Sequence, residues 1–230
     1  MRALQHSLLL ACGVLWGTSA QAALLEPMSF DATRLLPPPP VAGSPKAVAE
    51  LAEVKAIAAR TTPDMLAAAT HDAKDETPDI FNAVIGFDIA KAPAAAKLLS
   101  LVGDEEEDDT KAAKDFFHRD RPWIVDSSVH SCTPVKPGPA ANSYPSGHST
   151  RGFAMGIVLA ALIPAKSQAI LARAAEYAEN RLVCGVHFRS DITAGQQFGT
   201  VLALRLMQNA QFQAQMDAAR ADLTAAHLIP

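Results

Sequence analysis

The chain of 230 residues lacks the features that mark several common classes of protein. Its three cysteines are too few for a disulfide-stapled scaffold, and none lies in the paired spacing of a zinc site. No cluster of Lys and Arg offers a basic stripe, and the formal net charge is −4, so nucleic acid is excluded as a bulk partner. No run reaches the roughly 20 consecutive apolar residues of a transmembrane helix, so no membrane partner is expected.

What the chain does contain is enough apolar sequence for one folded core. Apolar residues make up 49% and charged residues 19%, which excludes wholesale disorder. From residue 47 onward apolar residues recur at helical spacing, and residues 149–162 and 192–206 are apolar on most faces, as central helices are. We therefore predict an all-α, single-domain helical bundle over residues 47–230.

The N-terminal 22 residues have the pattern of a secretory signal peptide. Arg2 is followed by an apolar run over residues 8–16 and by an A-x-A site ending at Ala22. A membrane anchor and a lipid attached at Cys12 are alternatives, but the apolar run is short for either. We predict cleavage after Ala22 and export to the periplasm. Residues 23–46, with four consecutive prolines at 37–40, are predicted to form a Pro-rich arm.

Two further features have simple interpretations. The acidic run over residues 104–109 predicts a solvated loop, because like charges resist packing. Removal of the first 22 residues leaves Cys132 and Cys184 as the cysteines of the exported chain. In an oxidising compartment a bond between them would close a loop of about 50 residues and contribute about 4 kcal/mol. We predict this disulfide, with two buried thiols as the alternative.

The first two candidate functional segments offer positive charge and backbone amides. Lys114 is followed after six residues by Arg121 and a proline, a pattern that alone would describe a surface helix end. A Pro-Ser-Gly-His sequence over residues 145–148 stands directly before an apolar helical run. The amides of Gly147 and His148 would then point outward at a helix N-terminus, beside the hydroxyl of Ser146, and form an anion site.

The third segment offers a nucleophile. Arg181 is followed after five residues by His187 and after three more by Asp191. An aspartate at this spacing can accept the Nδ1 proton of the histidine and present Nε2 as a nucleophile. Together the segments supply the fixed donors that phosphoryl transfer requires, and no clustered carboxylates offer a metal cage. The sequence therefore predicts phosphoryl transfer without a metal or other cofactor.

In order, K-x6-R-P, P-S-G-H and R-x5-H-x3-D resemble the signature of the type 2 phosphatidic acid phosphatase superfamily, and the chain looks most like the bacterial class A non-specific acid phosphatases. The resemblance implies an all-α acid phosphatase that hydrolyses small phosphate monoesters through a phosphohistidine. It is also consistent with a homo-oligomer. It implies that His187 is the nucleophile, that Asp191 orients it, and that His148 is the leaving-group acid. The implied phosphate-binding residues are Lys114, Arg121, Ser146, Gly147 and Arg181.

One position departs from the family pattern, and two other functions compete. Asn180 stands where the family usually has serine, which predicts an adjusted rate or substrate preference with activity retained. A vanadium-dependent haloperoxidase would use the same donor set on a similar fold. A periplasmic phosphate-binding protein is the non-catalytic alternative, against which the intact His148, His187 and Asp191 argue. Membrane lipid phosphatases of the same superfamily need several spanning helices that this sequence does not contain.

Overall fold

The computed structural model describes residues 31–135 and 142–229, and these residues fold as helices joined by loops, without a strand among them. The α-helices are α1 (Ala32–Leu35), α2 (Pro45–Arg60), α3 (Pro63–Asp72), α4 (Asn82–Ile85), α5 (Pro93–Glu105), α6 (Glu107–Phe117), α7 (Pro122–Val125), α8 (Gly147–Leu162), α9 (Ser167–Val183), α10 (Arg189–Gln208) and α11 (Ala210–Ala225). The predicted all-α fold is confirmed. The predicted signal peptide over residues 1–22 lies outside the described residues.

Local sequence explains where several of these helices begin. Ser44 and Thr62 accept hydrogen bonds from the third amide that follows each of them, and each is followed by a proline at the first helical position. Proline is tolerated there because its missing N–H has no intrahelical partner in any case. Ser146 caps α8 in the same way, through the amide of Ser149. A short polar side chain therefore sets the start of each of these helices.

Helix α8 lies at the centre of the bundle and packs against both α9 and α10. A Cβ atom at Gly195 would lie 2.5 Å from the Ser146 carbonyl oxygen, and one at Gly199 would overlap the carbonyl oxygen of Thr150. Glycine at these two positions lets the backbones of α8 and α10 approach closely. The prediction that the apolar segments within α8 and α10 form the core is confirmed, since most of their large apolar side chains are buried.

The prediction of a solvated loop over residues 104–109 is wrong. Helix α5 ends at Glu105 and α6 begins at Glu107, so the acidic run spans a helix junction. Glu106 is only 4% exposed, and its carboxylate accepts hydrogen bonds from Thr110 at 2.6 Å and from Arg151 at 3.3 Å. Donors from α6 and α8 thus compensate a charge that the local sequence alone would leave in solvent.

The described part of the predicted arm lies against the bundle. Ala32 and Leu36 are buried in the main core, and the Pro37 carbonyl accepts a hydrogen bond from the Tyr144 hydroxyl.

Farther along the chain, Cys132 and Cys184 form the predicted disulfide, which joins the segment after α7 to the end of α9. No helix among the described residues is long and apolar enough to cross a membrane.

Candidate active site

The residues predicted from the three segments come together at one end of α8. The last turn of α6 contributes Lys114, the residue before α7 is Arg121, and α8 begins with Gly147 and His148 just after its cap Ser146. Arg181 lies in the last turn of α9, while His187 and Asp191 lie on either side of the start of α10. The structure thus brings together segments separated by more than 70 positions in the sequence, and we call the space between them the pocket.

His187 is held between an acid and a cation. Its Nδ1 atom lies 3.4 Å from the Asp191 Oδ2 atom, and its Nε2 atom lies 3.0 Å from a guanidinium nitrogen of Arg121. Because a guanidinium can only donate, this arrangement places the ring proton on Nδ1 and a lone pair on Nε2. Burial, followed by the charges of Arg121 and Arg181, lowers the pKa of His187 well below its usual 6.5, which favours the neutral ring.

The Asp191 carboxylate is itself fixed by several donors. It accepts hydrogen bonds from the Ser143 hydroxyl at 2.6 Å, from the Phe188 amide at 2.8 Å and from Arg119 at 2.6 Å. Arg119 also donates to the buried Glu50 at 2.6 Å. Burial raises the pKa of Asp191, whereas these donors lower it. They therefore set the orientation of the carboxylate and, through it, the orientation of the His187 ring.

Three cations, Lys114, Arg121 and Arg181, lie close enough to His187 for their charges to lower its pKa. Burial and the neighbouring Arg121 charge lower the pKa of Lys114 to about 8, and burial lowers that of Arg121 to about 10. Arg181 is 6% exposed, and its Nε atom and one terminal nitrogen have no hydrogen-bond partner among the described residues. Unsatisfied buried donors of this kind are costly, and an oxyanion between them would satisfy them.

The beginning of α8 adds neutral donors to the same pocket. The Ser146 amide donates to the Asp191 carbonyl at 3.1 Å, which fixes the loop, and the Ser146 hydroxyl accepts from the Ser149 hydroxyl at 3.0 Å. A Cβ atom at Gly147 would lie 3.6 Å from the Lys114 Nζ atom, so the helix N-terminus faces the ammonium group. The first amides of a helix have no intrahelical acceptor and are available to an anion.

His148 lies at the rim of the pocket. Its Nε2 atom lies 3.4 Å from the Ala73 carbonyl oxygen and 3.4 Å from a carboxylate oxygen of Glu76. The ring stacks on Tyr177 with a centroid distance of 5.6 Å. Burial, followed by the charge of Arg181, lowers the pKa of His148 well below 6.5. Uptake of a proton by this ring therefore depends on the anions that approach it.

A sequence pattern described as the PAP2 superfamily matches residues 92–214, the region that contains all three segments. The chain belongs to the PAP2 superfamily. It is 32% identical to an acid phosphatase of Zymomonas mobilis subsp. mobilis, across 95% of this chain and 89% of that protein. It is 30% identical to a non-specific acid phosphatase of Providencia stuartii, across 86% of this chain and 82% of that protein. The resemblance drawn from the three segments is thereby confirmed.

A solved PAP2 structure shares the fold. The transmembrane PAP2 type phosphatidylglycerolphosphate phosphatase of Bacillus subtilis superimposes with a TM-score of 0.54 at 18% sequence identity. The similarity covers 71% of this chain and 85% of that one. At this identity the comparison supports the helical architecture. Membership of the PAP2 superfamily and the acid phosphatase relatives make the chain a phosphatase.

The residue that departs from the family pattern, Asn180, is hydrogen-bonded to α3. Asn180 donates a hydrogen bond to Asp72 at 2.7 Å, and Asp72 also accepts two bonds from Arg173. Asn180 therefore ties α9 to the end of α3, close to the segment that carries Ala73 and Glu76. This contact is compatible with the expectation that asparagine adjusts the site and leaves it in place.

Sequence reasoning missed several charged and polar groups that surround the proposed site residues. Arg119, Ser143 and Glu50 hold Asp191 directly or through one another, and Glu76 and Glu106 place acids near the cations. Arg119 lies two residues before Arg121, within the first segment, but nothing in the sequence distinguishes an inward-facing arginine there from a solvated one. The partners of Arg119 are about 70 positions away in either direction.

Proposed function

We propose that the protein is an exported acid phosphatase that hydrolyses phosphate monoesters of broad range through a phosphohistidine on His187. The observation that carries this proposal is the placement of the His187 ring, with Nδ1 3.4 Å from Asp191 and Nε2 3.0 Å from Arg121. A neutral imidazole with its lone pair beside a guanidinium is a poised nucleophile. In this proposal the donors bind the phosphoryl group and not the alcohol, so the site would accept esters of many different alcohols.

Phosphate binding in this proposal uses the donors that the fold leaves unsatisfied. The charges of Lys114, Arg121 and Arg181 meet the equatorial oxygens, together with the Ser146 hydroxyl and the Gly147 amide. The charge of the transition state is then held by groups that are already in place. The unpaired nitrogens of Arg181 are the strongest support for this assignment.

The first chemical step breaks the P–O bond of the ester. The Nε2 lone pair of His187 attacks phosphorus, and the leaving oxygen takes a proton from His148 as the alcohol departs. In the second step His148 removes a proton from water, the water oxygen attacks phosphorus, and the P–N bond breaks to release phosphate and neutral His187. Asp191 stabilises the positive charge that the His187 ring acquires between the two steps.

The proposed mechanism uses no metal ion and no cofactor. Among the described residues, no three His, Cys, Asp or Glu side chains form a group that could hold a metal ion. Hydrolysis of p-nitrophenyl phosphate at about pH 5 to 6 in excess EDTA tests this directly. We expect turnover to survive EDTA.

The nucleophile is tested with the His187→Ala variant and with His130→Ala, which removes an exposed histidine, as the matched control. We expect His187→Ala to abolish turnover and His130→Ala to keep it. A ³²P-labelled substrate should give an acid-labile phosphorylated protein with the wild type and none with His187→Ala, and this result identifies the intermediate. Equal turnover of wild type and His187→Ala would refute the assignment.

Export and domain organisation belong to the same proposal. The basic, apolar and A-x-A pattern of residues 1–22 supports cleavage after Ala22, followed by the arm over residues 23–46 and the phosphatase domain over residues 47–230. The disulfide suits an oxidising periplasm. N-terminal sequencing of the protein from a periplasmic extract should begin at Ala23, and a chain that begins at Met1 in the cytoplasmic fraction would contradict export.

A further inference from the structure

Glu76 faces the pocket from the loop between α3 and the 3₁₀ segment Pro78–Phe81. One of its carboxylate oxygens lies 3.4 Å from the His148 Nε2 atom, and the other lies 3.6 Å from the Arg151 Nε atom. The loop is held to the bundle by the Tyr177 hydroxyl, which donates to the Asp75 carbonyl at 2.6 Å. The Glu76 carboxylate thus lies beside the His148 ring, although its side chain is 47% exposed.

These contacts determine how the His148 ring is protonated. Both groups near Nε2, the Ala73 carbonyl and the Glu76 carboxylate, are hydrogen-bond acceptors, so Nε2 carries a proton. Both of these polar contacts are made by Nε2, which leaves Nδ1 for the oxygen of the departing alcohol. The pair repeats the arrangement of His187 and Asp191, in which one nitrogen faces a carboxylate and the other faces the substrate.

The other charged groups around His148 all oppose its protonation. Arg181 on α9, Lys114 on α6 and Arg151 on α8 lower its pKa together with burial, and the Tyr177 ring that covers it is neutral. Glu76 is the carboxylate that contacts the ring within the described part of the chain. Without Glu76, the Ala73 carbonyl would be the one group among these contacts that favours the protonated ring.

We infer that Glu76 is a positioning residue for the leaving-group acid, whose carboxylate accepts the Nε2 proton of His148 and stabilises the imidazolium. This inference rests on the proposed function, in which His148 is the acid. Its effect depends on the leaving group. Alkoxides leave only with a proton, whereas p-nitrophenolate leaves readily without one. Glu76 is therefore the residue that makes unactivated alkyl phosphates substrates of this site.

The test compares Glu76→Gln with the wild type on glycerol 2-phosphate and on p-nitrophenyl phosphate. Glutamine keeps the size and an acceptor oxygen but removes the charge. General acid catalysis contributes roughly 10²–10⁴-fold, so we expect kcat/KM for glycerol 2-phosphate to fall about tenfold or more, with less than about a twofold change in kcat/KM for p-nitrophenyl phosphate. The comparison uses kcat/KM because it reports the steps through departure of the alcohol and leaves out the hydrolysis of the phosphohistidine that both substrates share. The basic limb of kcat/KM for glycerol 2-phosphate should also move to lower pH. Asp79→Asn, which neutralises an exposed acid three residues away, is the control and should match the wild type.

Other outcomes overturn the inference. An equal loss of kcat/KM on both substrates would assign Glu76 a structural role. A lower KM on both substrates with unchanged kcat would mean that the Glu76 carboxylate competes with phosphate for the cations. His148→Ala separates this inference from the proposed function. If His148→Ala loses glycerol 2-phosphate hydrolysis while Glu76→Gln matches the wild type, only the role of Glu76 fails. If His148→Ala hydrolyses it as fast as the wild type, the proposed acid fails as well.

Discussion

Arg119 shows how much of the active site depends on a side chain that does not contact the phosphate pocket. Its guanidinium donates to Asp191, Glu50 and Ser190 at 2.6 to 2.7 Å and lies 4.3 Å from the centre of the Phe188 ring. A planar fork with several donors can satisfy this geometry, whereas the single ammonium of lysine cannot. The precise alignment of the His187 ring therefore depends on a residue two steps removed from the substrate.

We expect Arg119→Lys to lower kcat for p-nitrophenyl phosphate by roughly ten- to a hundredfold. Loss of a group that orients a metal-binding histidine has an effect of this size in metalloenzymes. The charge remains, so the fold should survive, which circular dichroism would check. Arg220→Lys alters an exposed pair on α11 and is the matched control. Unchanged kcat in Arg119→Lys would mean that Ser143 and the Phe188 amide suffice to hold Asp191.

The lowered pKa of His148 predicts the pH dependence of the free enzyme. The leaving-group acid must be protonated, and burial together with Arg181 lowers its pKa well below 6.5. The basic limb of kcat/KM, which reports the free enzyme, should therefore fall below pH 6.5. The limb of kcat should lie at higher pH, because a bound phosphate dianion favours the imidazolium. A profile that rises beyond about pH 8 would rule out His148 as the acid.

At the scale of elements, contact between α8 and α10 connects the proposed anion site to the proposed nucleophile. The Ser146 amide before α8 donates to the Asp191 carbonyl at the start of α10, and the glycines of α10 permit this approach. A displacement of α10 away from α8 would separate the phosphate-binding amides from His187. Packing at this contact is thus a condition for catalysis as well as for stability.

Gly199→Ala should destabilise the protein by about 1–3 kcal/mol, because its Cβ would overlap the Thr150 carbonyl and force the helices apart. The better helix propensity of alanine, worth about 1 kcal/mol, offsets only part of this. Urea unfolding would measure the change. Gln197→Ala, at an exposed position of the same helix, should leave the free energy of unfolding within about 0.5 kcal/mol of the wild type. A fully stable Gly199→Ala would show that α8 and α10 can separate without cost.

The helices and the clustering of the three segments were predictable for different reasons. Apolar periodicity depends on nearby residues, so the core segments of α8 and α10 could be recognised, and the three segments carry the family signature within short stretches. Glu106 was misjudged because its compensating donor Arg151 is 45 positions away. Arg119 and Glu76 were missed for the same reason. A buried charge is specified by its partners, and partners distant in sequence leave no local pattern.

At the scale of the whole molecule, the disulfide holds the end of α9, close to His187, against the segment that follows α7. Cys184 ends α9 three residues before His187, and its carbonyl accepts a hydrogen bond from the Cys132 amide at 2.9 Å. The bond closes a loop with a sequence separation of 52, and that loop contains Ser146 and Arg181. The bond therefore restricts the chain that carries much of the phosphate pocket.

The double variant Cys132→Ser, Cys184→Ser should lose about 4 kcal/mol of unfolding free energy on the chain-entropy estimate. Because the helices pack without it, we expect kcat at low temperature to change less than about threefold. Urea unfolding of the oxidised and the reduced wild type would give the same difference if the bond itself is responsible. A variant as stable as the oxidised wild type would mean that the bond constrains the unfolded chain very little.

Stability of the whole molecule should also depend on pH through the buried bases. The folded chain lowers the pKa of His148 and His187, while in the unfolded chain they titrate near 6.5. Below that pH the unfolded state therefore binds more protons, and the free energy of unfolding falls as pH falls. Each histidine accounts for a loss of up to about 1.4 kcal/mol between pH 7.5 and 5.5. The raised pKa of Asp191 and Glu106 acts in the opposite direction, so a comparison with a variant is needed.

His148→Gln removes one of these bases and should lose less stability than the wild type between pH 7.5 and 5.5. Urea unfolding at the two pH values measures both changes, and His130→Ala, which removes an exposed histidine, should behave as the wild type does. Inorganic phosphate should reduce the loss in the wild type, because an anion in the pocket favours the protonated His148 and stabilises the state that binds it. If His148→Gln lost as much stability as the wild type, the His148 ring would be accepting its proton in the folded state, and the pocket would be more polar than its burial implies.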